Sequence, residues 1–244
     1  MVSQDPNKIT RLMRNWGYLL GVFLVISSCS SAPDGFEPLF NGDDLEGWHI
    51  YGGHENFNGW TVSDGVLLYD PQLRTESISV SLTTDEQFTD FELSMDWMID
   101  TLGNSGVMWG VLDDGTHDQP YRTGPEIQIL DDTWTDYIQQ RGDINRAGAL
   151  YNLMPPSKVV AKGPNEWNHF LLHVDQTNQV GFLDFNGERV LEFSPGSDEW
   201  LSMILRSKFR NWHSFAAYKT GHISLQEHGS KVAFKNIYIK RLNE

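Results

Sequence analysis

The chain of 244 residues has a single cysteine, Cys29, so no disulfide can form within it. Basic residues are also scarce: 18 lysines and arginines stand against 33 aspartates and glutamates, a formal charge of −15. That balance repels phosphate backbones, and no local basic stripe offsets it, so nucleic acid is not an expected partner. No apolar run approaches the ~20 residues needed to span a bilayer. Also missing is any apolar stripe of helical period as long as three turns. The sequence carries no Walker, Rossmann or zincin motif and no Gly-x-Ser-x-Gly elbow, which disfavours nucleotide, nicotinamide and serine-hydrolase chemistry. EF-hand spacing is absent too, although Asp113, Asp114, Asp118, Asp131 and Asp132 could supply oxygen ligands to a divalent ion such as calcium.

What the chain does have is 39% hydrophobic residues, 9 tryptophans, 22 glycines and 10 prolines, which excludes disordered and collagen-like classes. Its length suits one all-β sandwich. Apolar residues alternate with period two at Phe91, Leu93, Met95, Trp97 and Ile99, at Ile127 and Ile129, and at Phe170, Leu172 and Val174. The pattern recurs with one slip at Phe234, Ile237 and Ile239. Turn signals separate these runs: NGDD at 41, SDG at 63, LGNSG at 102, DDG at 113, FNG at 185 and EHGS at 227. Two packed antiparallel sheets follow.

The N-terminal stretch reads as an export signal. Lys8, Arg11 and Arg14 flank the short apolar run from Trp16 to Ile26, and Ile26-Ser27-Ser28-Cys29 resembles a bacterial lipobox. The expected organisation is a signal peptide at 1–28, a lipidated Cys29 with tether to residue 35, and one domain over 36–244. Without residues 1–28 the chain keeps 15 basic and 32 acidic residues, a charge of −17. Localisation in the bacterial cell envelope is expected, with the membrane met through the lipid alone. Ser30 after the cysteine points to the outer membrane.

Alternation also says which side chains leave the core. With Ile127 and Ile129 pointing inward, Glu126 and Gln128 point the other way. Ile223 and Leu225 likewise place His222, Ser224, Gln226 and His228 on the opposite face. Two histidines, two glutamines and a carboxylate suggest the lining of a cleft.

The strings FEPLFNGDDLEGWHIYGG, GWTVSDGVLLYD, YRTGPEIQILDD, RAGALYNLMPPS, NEWNHFLLHV and GHISLQEHGSKVAFKNIYIKRL resemble the bacterial 3-keto-disaccharide hydrolase domain, first catalogued as a domain of unknown function. The resemblance runs from about Phe36 to Leu242. It implies a concanavalin A-like jelly roll acting on carbohydrate, often as an exported lipoprotein. A more distant similarity links Glu126 to Asp131 with the acidic strand of laminarinase-type retaining glucanases. In this sequence Gln128 stands where those glucanases have the middle acid, and a β-bulge near Leu130 would be needed to turn Asp131 to the cleft.

The family resemblance implies chemistry on a 3-keto sugar, whose ketone acidifies the C2 hydrogen. One base, one acid and a polariser of the C3 oxygen then suffice, with no required cofactor. Glu126 is the candidate base; Asp131, His222 or His228 the acid; Lys208 the polariser. Gln128, Gln226 and Asn104 are candidates for holding sugar hydroxyls, and Tyr121 or Trp109 for stacking on a ring. Several have a plainer reading: Trp109 as core, Arg146 as a scaffold partner of Asp143 or Asp131 rather than a substrate ligand, His228 and Asn104 as turn residues, Lys208 as solvated. Two other functions stay open, a non-catalytic carbohydrate-binding module and a conventional retaining glycosidase using Glu126 and Asp131.

Overall fold

The computed structural model describes residues 32–78 and 80–243; the expected signal peptide and Cys29 lie outside the described residues. Thirteen strands are described: β1 (Glu37–Pro38), β2 (Trp48–Ile50), β3 (Trp60–Ser63), β4 (Val66–Tyr69), β5 (Leu82–Thr84), β6 (Asp90–Ile99), β7 (Asn104–Val111), β8 (Glu126–Leu130), β9 (Asn168–Asp175), β10 (Val180–Phe185), β11 (Glu188–Phe193), β12 (His222–Leu225) and β13 (Val232–Arg241). They form two antiparallel sheets. One runs β11-β10-β9-β6-β13-β4-β3 with β1 on β13, and the other runs β2-β5-β12-β7-β8.

In the first sheet the facing strands β6 and β9 keep a regular register from Asp90 to Trp97. Phe91, Leu93 and Met95 of β6 lie opposite Val174, Leu172 and Phe170 of β9, and all six are buried. Trp97 packs against Phe170 and Phe185 with ring centres 5.2 and 5.7 Å away. The slip in the last apolar run is a β-bulge: the β13–β6 register shifts between Lys235 and Tyr238, where Asn236 takes φ 51°.

The five-stranded sheet is buried on both faces, so every residue of β7, β8 and β12 is buried. Ile127, Ile129, Ile223 and Leu225 point into the sandwich. The opposite face carries Asn104, Glu126, Gln128, Ser224 and Gln226, and the chain folds back over it. That return path includes two short helices that the absence of a long apolar stripe did not announce, α1 (Thr135–Arg141) and α2 (Asp198–Arg206). Helix α2 is built by local signals: the Ser197 hydroxyl accepts from Trp200 N–H at 3.1 Å, and Asp198 and Glu199 occupy the first turn. Among the described residues no helix is long and apolar enough to cross a membrane.

Candidate active site

Strand β8 positions Glu126 from both edges. On one side its register with β7 is regular from Asn104 opposite Leu130 to Met108 opposite Glu126. On the other, the segment 147–151 lies along it: Gly148 N–H donates to Gln128 C=O at 2.9 Å, and Tyr151 N–H to Glu126 C=O at 2.9 Å. Asp132 fixes that segment by accepting from Ala147 N–H (2.9 Å) and from Arg146 Nε (3.2 Å). Arg146 also reaches Asp143 at 3.3 Å. It is a scaffold residue outside the pocket, and its work is to bring Tyr151 beside Glu126.

The side chain of Glu126 lies across Gly106 of β7, where a Cβ would stand 2.6 Å from the glutamate Cδ. Glycine is required by this close approach, not by a turn. The carboxyl has no hydrogen bond among the described residues. Burial therefore pushes its pKa from 4.5 to about 8, and the charge of Lys208 opposes that rise only in part. The Lys208 ammonium donates to the Tyr151 hydroxyl at 3.0 Å and lies 4.1 Å from that ring's centre. Desolvation lowers Lys208 below the usual lysine value, with Glu126 countering, and burial raises Tyr151. Lys208 is placed by its neighbour Ser207, whose hydroxyl closes α2 on Ile204 C=O (2.8 Å) and accepts from Phe209 N–H (3.0 Å).

These groups enclose a cavity of about 280 Å³ in which Glu126 is the only carboxylate among the described residues. Its polar wall is Asn104, Gln128, Gln226, His228, Lys208 and Tyr151; its apolar wall is Tyr121, Phe209, Trp212 and Phe215. The Gln128 amide nitrogen is already engaged by Asn104 Oδ1 (2.6 Å) and the carbonyls of Ser105 and Ile129 (both 3.0 Å). Gln128 thus holds Asn104 by its Oδ1, which leaves the Asn104 Nδ2 to face a ligand.

Four expected site residues lie elsewhere. Asp131 does not turn to the cleft, because β8 has no bulge at Leu130. Its carboxylate closes a turn instead, accepting from Thr133 N–H (2.9 Å), Thr133 Oγ1 (2.7 Å) and Leu102 N–H (2.8 Å). His222 shares the polar face but lies outside the pocket lining. Its Nδ1 donates to Thr84 C=O at 2.7 Å, so Nε2 accepts from the Gln87 amide at 3.0 Å. Trp109 belongs to the core, stacked on Phe193 at 5.8 Å. A bulge around Gly110 (φ 60°) breaks the alternation after Trp109 and turns Val111 to pack with Met108 and Tyr51 on the other face. Arg146 is the fourth. The possible calcium ligands do not converge either: Asp113 binds Gly52 N–H and His49, Asp114 binds Thr116, and Asp118 binds Arg122. Among the described residues no three His, Cys, Asp or Glu groups gather as a metal site.

Residues 35–240 match the family described as the 3-keto-alpha-glucoside-1,2-lyase-like domain. The chain belongs to that family. A member from Bacteroides thetaiotaomicron, a 3-keto-disaccharide hydrolase, is 28% identical over 86% of this chain and 79% of its own length. A crystal structure from Parabacteroides distasonis, of a protein provisionally classed as a glycosyl hydrolase, is 31% identical over 86% of this chain and 95% of that one, with a TM-score of 0.77. A Bacillus subtilis protein with a galectin-like fold superposes at a TM-score of 0.54 with 13% identity, a likeness of fold alone. Within this 3-keto-glucoside lyase-like frame, sequence patterning missed Tyr151, Phe209, Trp212 and Phe215. All four sit on irregular backbone, where no periodicity assigns direction; the one available signal was the aromatic density of KFRNWHSF.

Proposed function

We propose that this chain is an exported carbohydrate-active enzyme that cleaves 3-keto-glycosides by elimination across C1 and C2, followed by hydration. The observation that carries the reading is Glu126: a buried carboxyl facing a small pocket, beside a lysine ammonium and with no second carboxylate in the lining among the described residues. A retaining glycosidase needs two carboxyl groups about 5 Å apart. A C2 proton abstraction needs one.

In this reading the Glu126 carboxylate takes the C2 proton. The C–H electrons form the C2–C3 double bond, and the charge moves to the C3 oxygen, against which Lys208 Nζ and the Tyr151 hydroxyl donate. The enolate then collapses, C1–O breaks, and the leaving oxygen takes a proton, for which His228 is the candidate acid. The enone that remains takes up water at C1, whose proton restores His228, and C2 is reprotonated by Glu126 after that carboxyl has exchanged its proton with solvent, so the net change is hydrolysis. Asn104 and Gln226 hold hydroxyls. A purely binding module gains nothing from a carboxyl buried without a hydrogen bond, which favours catalysis over capture.

Glu126→Gln keeps the shape and loses the base. Turnover of a 3-keto-glucoside should fall by ~10²–10⁴, with no activity of the wild type on the parent glucoside. Undiminished turnover in the variant, or equal wild-type activity on both substrates, would overturn the reading.

A further inference from the structure

His228 lines the Glu126 pocket as an exposed residue, and its ring has no hydrogen-bond partner among the described residues. Its aim therefore comes from the backbone of the turn that carries it. Both ends of that turn are tied to β7. Gln226 N–H donates to Gly106 C=O at 2.8 Å, and Gln226 C=O accepts from the Ser105 hydroxyl at 2.7 Å. At the far end Asn104 N–H donates to the Ser230 hydroxyl at 3.1 Å. Between these ties the turn is held by Glu227, which has the opposite parity to Gln226 and His228 and is absent from the pocket lining. Its Oε2 accepts from the Tyr69 hydroxyl at 2.7 Å, from Arg74 Nη1 at 3.4 Å and from Gly229 N–H at 3.4 Å. Gly229, at φ 74°, turns the chain back so that its N–H reaches that oxygen from the other side of His228.

The partners of Glu227 are themselves fixed. Tyr69 of β4 is fully buried, with its ring centre 5.2 Å from that of Trp60. Burial and the Glu227 carboxylate raise the Tyr69 hydroxyl above its usual pKa, so it stays a donor. Arg74 is held by donating from Nη2 to Ile78 C=O at 2.5 Å and from Nε to Glu76 C=O at 3.3 Å. Hydrogen bonds to a carboxylate largely shielded from water are the strong kind. We propose that Glu227 is a positioning residue: by fastening the 226–229 turn to Tyr69 and Arg74, it aims the His228 imidazole at the glycosidic oxygen that leaves. The inference rests on the reading above and adds what that reading leaves open, namely how an exposed histidine with no partner of its own is held in place to act as the acid. It also confines the effect of Glu227 to one step. Departure of the leaving oxygen depends on the anchor, and removal of the C2 proton by Glu126 does not.

The test is the dependence on the leaving group. An alkoxide needs a proton to depart, whereas 4-nitrophenolate leaves as the anion, so each enzyme is compared on methyl and 4-nitrophenyl 3-keto-α-glucosides. The ratio of the two kcat values within one preparation does not depend on how much of it is folded, so lost stability alone leaves it unmoved. Glu227→Ala should slow the methyl glycoside about tenfold more than the 4-nitrophenyl one, the scale of a charge-assisted hydrogen bond. Glu227→Gln, which can still accept from Tyr69 and Gly229, should recover most of that loss. Adding Glu227→Ala to His228→Ala should shift the ratio no further than His228→Ala alone. A wild-type ratio in Glu227→Ala, or a further shift in the double variant, would overturn the anchor. Failure of the underlying reading has a different signature: a wild-type ratio in His228→Ala itself, which removes the acid and the anchor with it.

Discussion

Glu126 holds a carboxyl buried beside Lys208, at a cost in stability that pH exposes. Its folded pKa of about 8 lies above the ordinary 4.5, so between these values the folded protein keeps a proton that the unfolded chain has lost. The stability linked to this group is therefore complete below about pH 4.5 and drains away as pH rises through about 8. The ionised form, which the proposed mechanism uses, grows over the same interval. Glu126→Gln removes the titration, so the variant should be more resistant to thermal unfolding than wild type near pH 9, by an amount on the order of a few kcal/mol, and differ least near pH 4.5. Wild-type kcat/KM should climb toward pH 8. A melting difference that stays constant across this range would contradict the assignment.

At the scale of elements, the β7–β8 pair explains why the carboxyl can be there at all. Gly106 leaves the gap that Glu126 fills, and its backbone is ordinary extended strand with no positive φ. Gly106→Ala should therefore fold, yet drive the flexible end of Glu126 off its position and cost ~10²-fold or more in turnover, the scale set by misplacing a reacting group by about 1 Å. Activity at the wild-type level in a folded Gly106→Ala protein would mean that Glu126 does not work from this position. The same pair shows what was legible beforehand. Parity from Ile127 and Ile129 sufficed to point Glu126 and Gln128 away from the core, because β8 is unbroken. One inserted residue near Gly110 puts Trp109 and Val111 on opposite faces of β7, and nothing in MWGVL marks that glycine as a bulge rather than a strand residue. Asp131 stands one residue past β8, where turn closure claims a carboxylate as readily as a cleft does. His222 had the right face and the wrong end of the strand.

The whole molecule divides the work between its sheets. The eight-stranded sheet with its alternating apolar ladder was readable from sequence, including the slip that proved to be a bulge at Asn236. The five-stranded sheet was readable only in part, since covering its polar face falls to Tyr151 and the 207–216 turn segment, which have no periodic signature. Envelope anchoring is a proposal at this scale: if Cys29 is the lipid attachment point, Cys29→Ser should move the protein from the membrane fraction to the soluble fraction without loss of fold, and unchanged membrane association would contradict it.

The central claim, removal of the C2 proton by Glu126, is tested most directly by running the wild-type reaction in heavy water and locating the label. The account predicts one deuterium at C2 of the released 3-keto sugar, well above that acquired by the same sugar incubated without enzyme. Complete cleavage with hydrogen retained at C2 would mean direct displacement at C1 and would contradict it.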